Sequence, residues 1–336
     1  MQDNSFGAKL KSAGSYLYRE GTVYIILVVL IIFFSIFNPR FLSTRNIYNL
    51  ITQSTYIVIA GMGICFVMIG GGIDLSVGYQ MAVVGCVSGI IMVETSLPWW
   101  IVWPIGIVLG FLMGTLNGVI ASKLHLFPLI VTIATSEVFK GIAYTITSSK
   151  SYSGMPDAFR ALYKTKLFGL PLDVYLTILV VVATWIVLNK THFGRDILAV
   201  GGNKECARLS GIRADLIQTL CFSITGAVFA IATLDMLAQQ NMTSATTGPG
   251  TEITCLTAAI IGGISMMGGK GNVIGMVAGI FVMQMISNGM QLAGWGSYTQ
   301  YTVKGIILLL AITFDALKSR PKAVVRVHKD EEKKTA

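Results

Sequence analysis

Charge is scarce in this chain. Only 12% of its 336 residues are Asp, Glu, Lys or Arg, against about 25% in soluble globular proteins. With 54% hydrophobic residues and a mean hydropathy of +0.70, too few polar side chains remain to cover a water-facing surface. The composition speaks against a soluble enzyme, a disordered tail, a coiled coil and a nucleic-acid binder. Histidine is scarcer still. His125, His192 and His328 are far apart in the chain, and neither His-Glu-x-x-His nor Gly-x-Ser-x-Gly occurs. No catalytic residue and no metal site is therefore expected, and the chain is read as a non-enzyme. The cysteines (Cys65, Cys86, Cys206, Cys221 and Cys255) are odd in number and never form CxxC. They read as small apolar fillers rather than disulfides or metal ligands.

Long uncharged runs are what the sequence has in quantity. Residues 21–39, 46–73, 95–122 and 216–234 carry no charge. Each is long enough to cross a hydrocarbon core of about 30 Å as a helix. The short alternating segments of a membrane barrel are missing. The expected fold is all-α and polytopic, with about ten spans near 21–38, 46–70, 75–93, 97–122, 126–148, 172–189, 216–234, 253–269, 272–290 and 299–317. The fifth is the weakest, because it contains Glu137 and Lys140. An eleven-span reading, or a re-entrant element near 70–80, stays open. The mostly polar residues 1–20 precede a run that ends Phe37-Asn38-Pro39-Arg40 with no small-residue cleavage site, so no cleaved signal is expected.

Ten spans put both tails on one side, and the distribution of Lys and Arg, rather than the net charge of +9, says which. One set of loops and tails holds Lys9, Lys11, Arg19, Lys123, Lys190, Arg195, Lys204, Arg208, Arg213, Lys270 and the seven Lys and Arg residues from Lys318 to Lys334. The other holds only Arg40, Arg45, Lys150, Arg160, Lys164 and Lys166. The bias predicts cytoplasmic tails, although the 150–171 loop is basic against it. The expected organisation is a cytoplasmic tail at 1–20, one membrane domain at 21–318 with a cytoplasmic loop at 190–215, and a basic cytoplasmic tail at 319–336. No extramembrane stretch is long enough to fold as a domain, so any energy source must be another chain.

Glycine is abundant, at 36 residues. Gly85 and Gly89 have GxxxG spacing, and Gly275 and Gly279 repeat it; at the same offset Gly72 matches Gly262 and Gly78 matches Gly268. A duplicated fold and simple close helix packing are both open readings.

Three stretches carry candidate chemistry. In Gly70-Gly71-Gly72-Ile73-Asp74-Leu75-Ser76-Val77-Gly78 the glycines should break the helix. Asp74 then either caps the next span or lines a polar path with Gly71, Gly72, Ser76 and Gly78. Between Asn203, a good N-cap, and Gly211, a good stop, lies a two-turn helix with Glu205 and Arg208 at i, i+3. It reads either as an interfacial helix on the headgroups or as a docking helix for a cytosolic partner, with Gly202, Asn203, Glu205, Arg208, Leu209, Ser210 and Gly211 as its working residues. In Gly262-Gly263-Ile264-Ser265-Met266-Met267-Gly268-Gly269-Lys270-Gly271 the Lys lacks the following Ser or Thr of a phosphate loop. A tight turn is expected there, and no ATP binding by this chain.

Within spans, Glu137 and Lys140 can neutralise each other. Asn117, Asp235, Gln284, Asn288, Gln300 and Lys304 are further intramembrane polar residues, and Gln239, Gln240 and Asn241 are placed at the outer mouth. Trp99, Trp100, Trp103 and Trp295 lie near span ends, as an aromatic belt does.

The segment Gly71-Gly72-Ile73-Asp74-Leu75-Ser76-Val77-Gly78 resembles the signature of the permease subunits of bacterial monosaccharide ABC importers, the ribose, galactose, xylose and autoinducer-2 systems. Phe127-Pro128-Leu129-Ile130-Val131-Thr132 resembles that family's fifth-helix start. Gly194-Arg195, Gly201-Gly202-Asn203, Ala207-Arg208 and Ser210-Gly211-Ile212 resemble its coupling loop, and Ile261-Gly262-Gly263 and Val303-Lys304-Gly305-Ile306 also fit. Glu137 and the Met266-Met267 pair depart from the family pattern. The resemblance implies a ten-helix permease of vitamin-B12-importer-like architecture in the bacterial plasma membrane. It implies a cytosolic ATPase that carries the ATP, an extracytoplasmic sugar-binding protein, a second permease chain and surrounding lipid as partners. A branched-chain amino acid permease is the near alternative, and an ion-coupled secondary transporter the alternative of a different class.

Overall fold

A computed structural model describes residues 21–318. The two predicted tails, 1–20 and 319–336, lie outside the described residues. Thirteen α-helices are described: α1 (Thr22–Phe37), α2 (Thr44–Ile69), α3 (Val77–Glu94), α4 (Val102–Lys123), α5 (Pro128–Thr147), α6 (Asp157–Lys164), α7 (Leu172–Lys190), α8 (His192–Gly202), α9 (Lys204–Leu209), α10 (Ala214–Gln240), α11 (Thr251–Ile261), α12 (Val273–Leu292) and α13 (Ser297–Lys318). Among the described residues, sheet is confined to two antiparallel pairs of two-residue strands. One joins Tyr152–Ser153 to Met242–Thr243, the other Lys166–Leu167 to Leu170–Pro171.

The ten predicted spans are the ten apolar helices. Eight of them are long and apolar enough to cross a membrane, while α1 and α11 are shorter. The eighth span is corrected: helix stops at Ile261 rather than running to 269. Gly263, Gly268 and Gly269 all take positive φ there, a backbone that side-chain-bearing residues adopt only at a cost.

Helices α2 and α10 form the centre. Residues Ile57 to Ile69 of α2 are almost wholly buried, as are Phe229 to Ala238 of α10. A helix apolar on all sides belongs in such a place. Against α10 lies α4, and the contact uses Gly106, Gly110, Gly114 and Gly118. A Cβ on Gly110 would stand 2.3 Å from the Gly226 carbonyl oxygen, and one on Gly114 would stand 2.1 Å from that of Phe222. Backbones this close are the usual outcome of small residues four apart in a membrane bundle. The two GxxxG pairs also lie at close contacts with neighbouring segments. Gly275 and Gly279 sit on the Gly262 and Ala258 carbonyls, and Gly85 and Gly89 sit on Thr243.

The outer surfaces of α1, α5, α7 and α13 carry exposed apolar side chains such as Phe37, Ile130, Leu179 and Phe314, as lipid-facing helices do. Glu137 and Lys140 pair at 3.3 Å on the exposed face of α5, as their spacing predicts. Four cysteines are buried, Cys206 is exposed, and all five are free.

Candidate functional site

Three turns of backbone meet at one end of the bundle. They are Gly70–Gly72 after α2, Gly201–Gly202 at the end of α8, and Gly268–Gly269 after α11. A Cβ on Gly201 would lie 1.9 Å from the Ile69 oxygen and 2.6 Å from the Gly269 nitrogen. One on Gly268 would lie 2.6 Å from the Gly71 Cα. The junction is backbone against backbone, and only glycine fits at its centre.

From this junction the chain runs into Asp74. The side chain is buried, 2% exposed. Its Oδ1 accepts from the Ser76 amide at 2.8 Å and the Ser76 hydroxyl at 2.6 Å, and its Oδ2 accepts from Gln80 at 3.3 Å. The Ser76 hydroxyl oxygen in turn accepts from Gln80 at 2.6 Å and from Asn117 of α4 at 2.8 Å. Thr132 of α5 bridges the same segment, donating to the Ile73 carbonyl and accepting from the Leu75 amide. Asp74 thus gathers the donors at the start of α3, while Ser76 joins the segment to α4 through Asn117 and its backbone joins α5 through Thr132. The expected cap by Asp74 is corrected: Ser76 is the N-cap of α3 and makes no side-chain cap bond, while Asp74 accepts from the Ser76 amide just ahead of the helix. Sequence spacing does not reveal Gln80, Asn117 and Thr132 as members of this network.

Gly201–Gly202 lead directly into α9. Asn203 caps it, its side chain accepting from the Cys206 amide at 3.0 Å, and Gly211 ends the turn at φ 84°. Arg208 donates to Glu205 at 2.8 Å, as the i, i+3 spacing predicts, and to both oxygens of Asp215 at 2.8 and 2.9 Å. Lys204 joins Asp215 at 3.0 Å. The hydrogen bond to Asp215 holds the Arg208 guanidinium above its already high ordinary pKa. Leu209 points its side chain outward, 89% exposed. Met267, in the turn after α11, is 80% exposed. The preceding helix α8 is an addition to the expected loop; its signal was Thr191, which caps the Gly194 amide at 3.2 Å.

At the opposite end lies a cavity of about 470 Å³. The middle of α2 supplies Gln53 and Tyr56, the end of α10 supplies Gln239 and Gln240, α12 supplies Gln284, Asn288 and Gln291, and α13 supplies Gln300, Tyr301 and Lys304. Seven amide side chains face it, and Lys304 is its only charged lining residue among those described. Gln240, Gln291 and Tyr301 are exposed at its rim. Neutral amides both donate and accept, so the cavity suits an uncharged solute rich in hydroxyls. The predicted path residues Gly71, Gly72, Asp74, Ser76 and Gly78 do not line it, and Trp295 is not among its walls either. Gln239, Gln240, Gln284, Asn288, Gln300 and Lys304, read from the sequence as polar exceptions, do line it. Asn241 instead accepts from the Met155 amide at 2.9 Å and pins the loop after α5.

Residues 46–312 match the family model described as the permease component of the branched-chain amino acid transport system. The chain belongs to this permease family. The permease is 32% identical to the ribose import permease protein of Haemophilus influenzae, over 90% of its own length and 94% of the relative's. It is 34% identical to the L-arabinose transport system permease protein of Escherichia coli, with 94% and 96% covered. With the galactose/methyl galactoside import permease protein of the same organism it shares 31%, with 92% and 97% covered. No solved structure matches the permease.

Proposed function

We propose that this permease is the membrane-spanning subunit of an ATP-driven importer for a monosaccharide or a similar small polyol, autoinducer-2 included. The observation that carries the reading is the amide-lined cavity, in a chain whose relatives are ribose, arabinose and galactose permeases. An amino acid would bring an ammonium group best met by a carboxylate, and no carboxylate lines this cavity among the described residues. That favours sugar over the branched-chain alternative.

With the tails cytoplasmic, as the positive charges predict, the cavity faces outward and α9 faces the cytosol. An extracytoplasmic binding protein delivers solute to the rim at Gln240, Gln291 and Tyr301. A cytosolic ATPase binds ATP and receives α9 through Gly202, Asn203, Glu205, Arg208, Leu209, Ser210 and Gly211. Closure of the ATPase pushes α9. The backbone junction passes that push from Gly201 to Gly71 and Gly268 without slack, because no side chain intervenes. The Gly71–Gly78 segment, held by Asp74 and Ser76, acts as the gate on the path. A second permease chain, identical or related, completes the transporter in the bacterial plasma membrane. This chain binds no cofactor of its own.

A mild-detergent pull-down of the tagged permease with mass spectrometry tests the reading. Recovery of a cytosolic ATPase in stoichiometric amount is expected. Its absence, together with uptake by the purified chain alone under an ion gradient, would establish the secondary-transporter alternative instead.

A further inference from the structure

Gln239 sits where two buried carboxylates meet the cavity wall. It belongs to the last turn of α10 and lines the cavity. Its Nε2 donates to the Thr55 hydroxyl oxygen at 2.5 Å and reaches Asp173 Oδ2 and Asp235 Oδ2, each at 3.2 Å. Thr55 donates in turn to Asp235 Oδ2 at 2.7 Å. Asp173 comes from α7 and Asp235 from α10, and both are 0% exposed.

These contacts decide which way round the amide stands. Its nitrogen carries only donors and its oxygen only lone pairs. Turning it over would set Oε1 against two carboxylate oxygens, repelling both and stranding Asp173 Oδ2, to which only this amide donates among the described residues; that is expensive in a buried site. With Nε2 held inward, Oε1 is left on the cavity side, where it accepts no hydrogen bond among the described residues. A free acceptor of fixed polarity in a cavity wall selects a donor. A hydroxyl supplies one; a carboxylate or phosphate does not, and it would meet Asp173 and Asp235 behind the amide.

We propose that Gln239 is a specificity-determining residue of the permease: its carbonyl oxygen accepts the hydrogen of one solute hydroxyl, and Thr55, Asp173 and Asp235 hold it in that orientation. The inference rests on the cavity being the solute site of a sugar importer.

The test uses the complete transporter in cells: permease, ATPase and binding protein. Uptake of labelled D-ribose, L-arabinose and D-galactose is measured first. The imported sugar is then compared with each of its monodeoxy derivatives, in wild type, Gln239→Met and Thr55→Val. The binding protein is the same in every arm, so its own preference cancels in the ratio between variant and wild type. For one hydroxyl position, wild type should discriminate against the deoxy sugar about fivefold to tenfold more than Gln239→Met does, the worth of one hydrogen bond. Thr55→Val, which keeps the amide but loosens it, should fall between the two at that same position and leave the others unchanged. It also carries the test if Gln239→Met fails to assemble. Equal discrimination by all three proteins at every position would overturn the inference while leaving the importer reading intact. If wild type imports none of the three, the panel is widened to other monosaccharides, small polyols and autoinducer-2; import of none of these would overturn the reading and the inference together.

Discussion

The Gly269 amide donates to the Ile69 carbonyl oxygen at 2.8 Å. The carbonyls in a helix's last turn have no partner within it. Here one of them, at the end of α2, is satisfied by the turn that follows α11, far along the chain. Gly201 lies against both residues. The buried end of α2 is therefore tied to the turn after α11 and to Gly201, which leads into α9.

Gly201→Ala should break that tie. The new Cβ would stand 1.9 Å from the Ile69 oxygen and 2.6 Å from the Gly269 nitrogen, and both are backbone atoms that cannot rotate away. The expected cost is about 1–3 kcal/mol, read as a lower melting temperature in detergent, with uptake reduced at least as much. Gly202→Ala is the control. Nothing lies within 4 Å of its Cβ position, so melting should stay near wild type. Equal melting of the two variants would mean the junction is looser than described.

Arg208→Glu should weaken ATPase capture and leave the fold in place. Arg208 pairs with Glu205 and Asp215 at a partly exposed position, and such pairs contribute about 0–1 kcal/mol. Melting should change little, while ATPase recovered in a pull-down falls severalfold. Capture should also be flat with pH as far as Arg208 is concerned, because its guanidinium is held above its ordinary pKa and stays charged. Normal co-purification would remove α9 from the ATPase contact.

Asn46 and Asn288 exchange two amide hydrogen bonds, at 2.8 and 3.0 Å, between α2 and α12. Replacing either one with Leu strands the other in a buried site and should cost about 1–3 kcal/mol. The double replacement should cost less than the sum, because it leaves no orphan. A double-mutant cycle in thermal unfolding measures the difference. Strict additivity would show that the pair is not coupled.

Asp74→Asn should reduce the maximal rate of uptake and not the apparent affinity. The cavity lies elsewhere, so KM should hold, while the amide offers a donor where Ser76 and Gln80 already donate. A maximal rate equal to wild type, in a variant that melts normally, would take the Gly71–Gly78 segment out of the gate.

Much of this permease is legible along the chain. The apolar runs mark ten helices because a membrane helix must bury or expose to lipid every side chain for about twenty residues. The α9 cap at Asn203, its stop at Gly211 and the Glu205–Arg208 pair are readable because they are local: each depends on residues within a few positions of one another. The same locality makes the Glu137–Lys140 pair visible. The premature end of α11 at Ile261 is less so, since an apolar stretch with glycines continues to 269 and hydropathy alone does not register the turn. The four glycines from Gly106 to Gly118 are a stronger packing signal than either GxxxG pair, and their spacing was there to be counted.

Composition and hydropathy by themselves determine that this chain is a helical membrane protein, and short-range patterns determine where its helices break and how α9 is capped. Tertiary structure decides what those pieces do. The Ile73–Ser76 segment becomes a hub only when Asn117 and Thr132 arrive from other helices, and Gly201 matters only because Ile69 and Gly269 come within touching distance. The cavity exists only where α2, α10, α12 and α13 converge. Likewise the orientation of Gln239 is set by Asp173, Asp235 and Thr55, from three different helices. The physical reason is the same in each case: hydrogen bonds and steric exclusion act over a few ångströms in space, and a linear sequence specifies such distances only between neighbours.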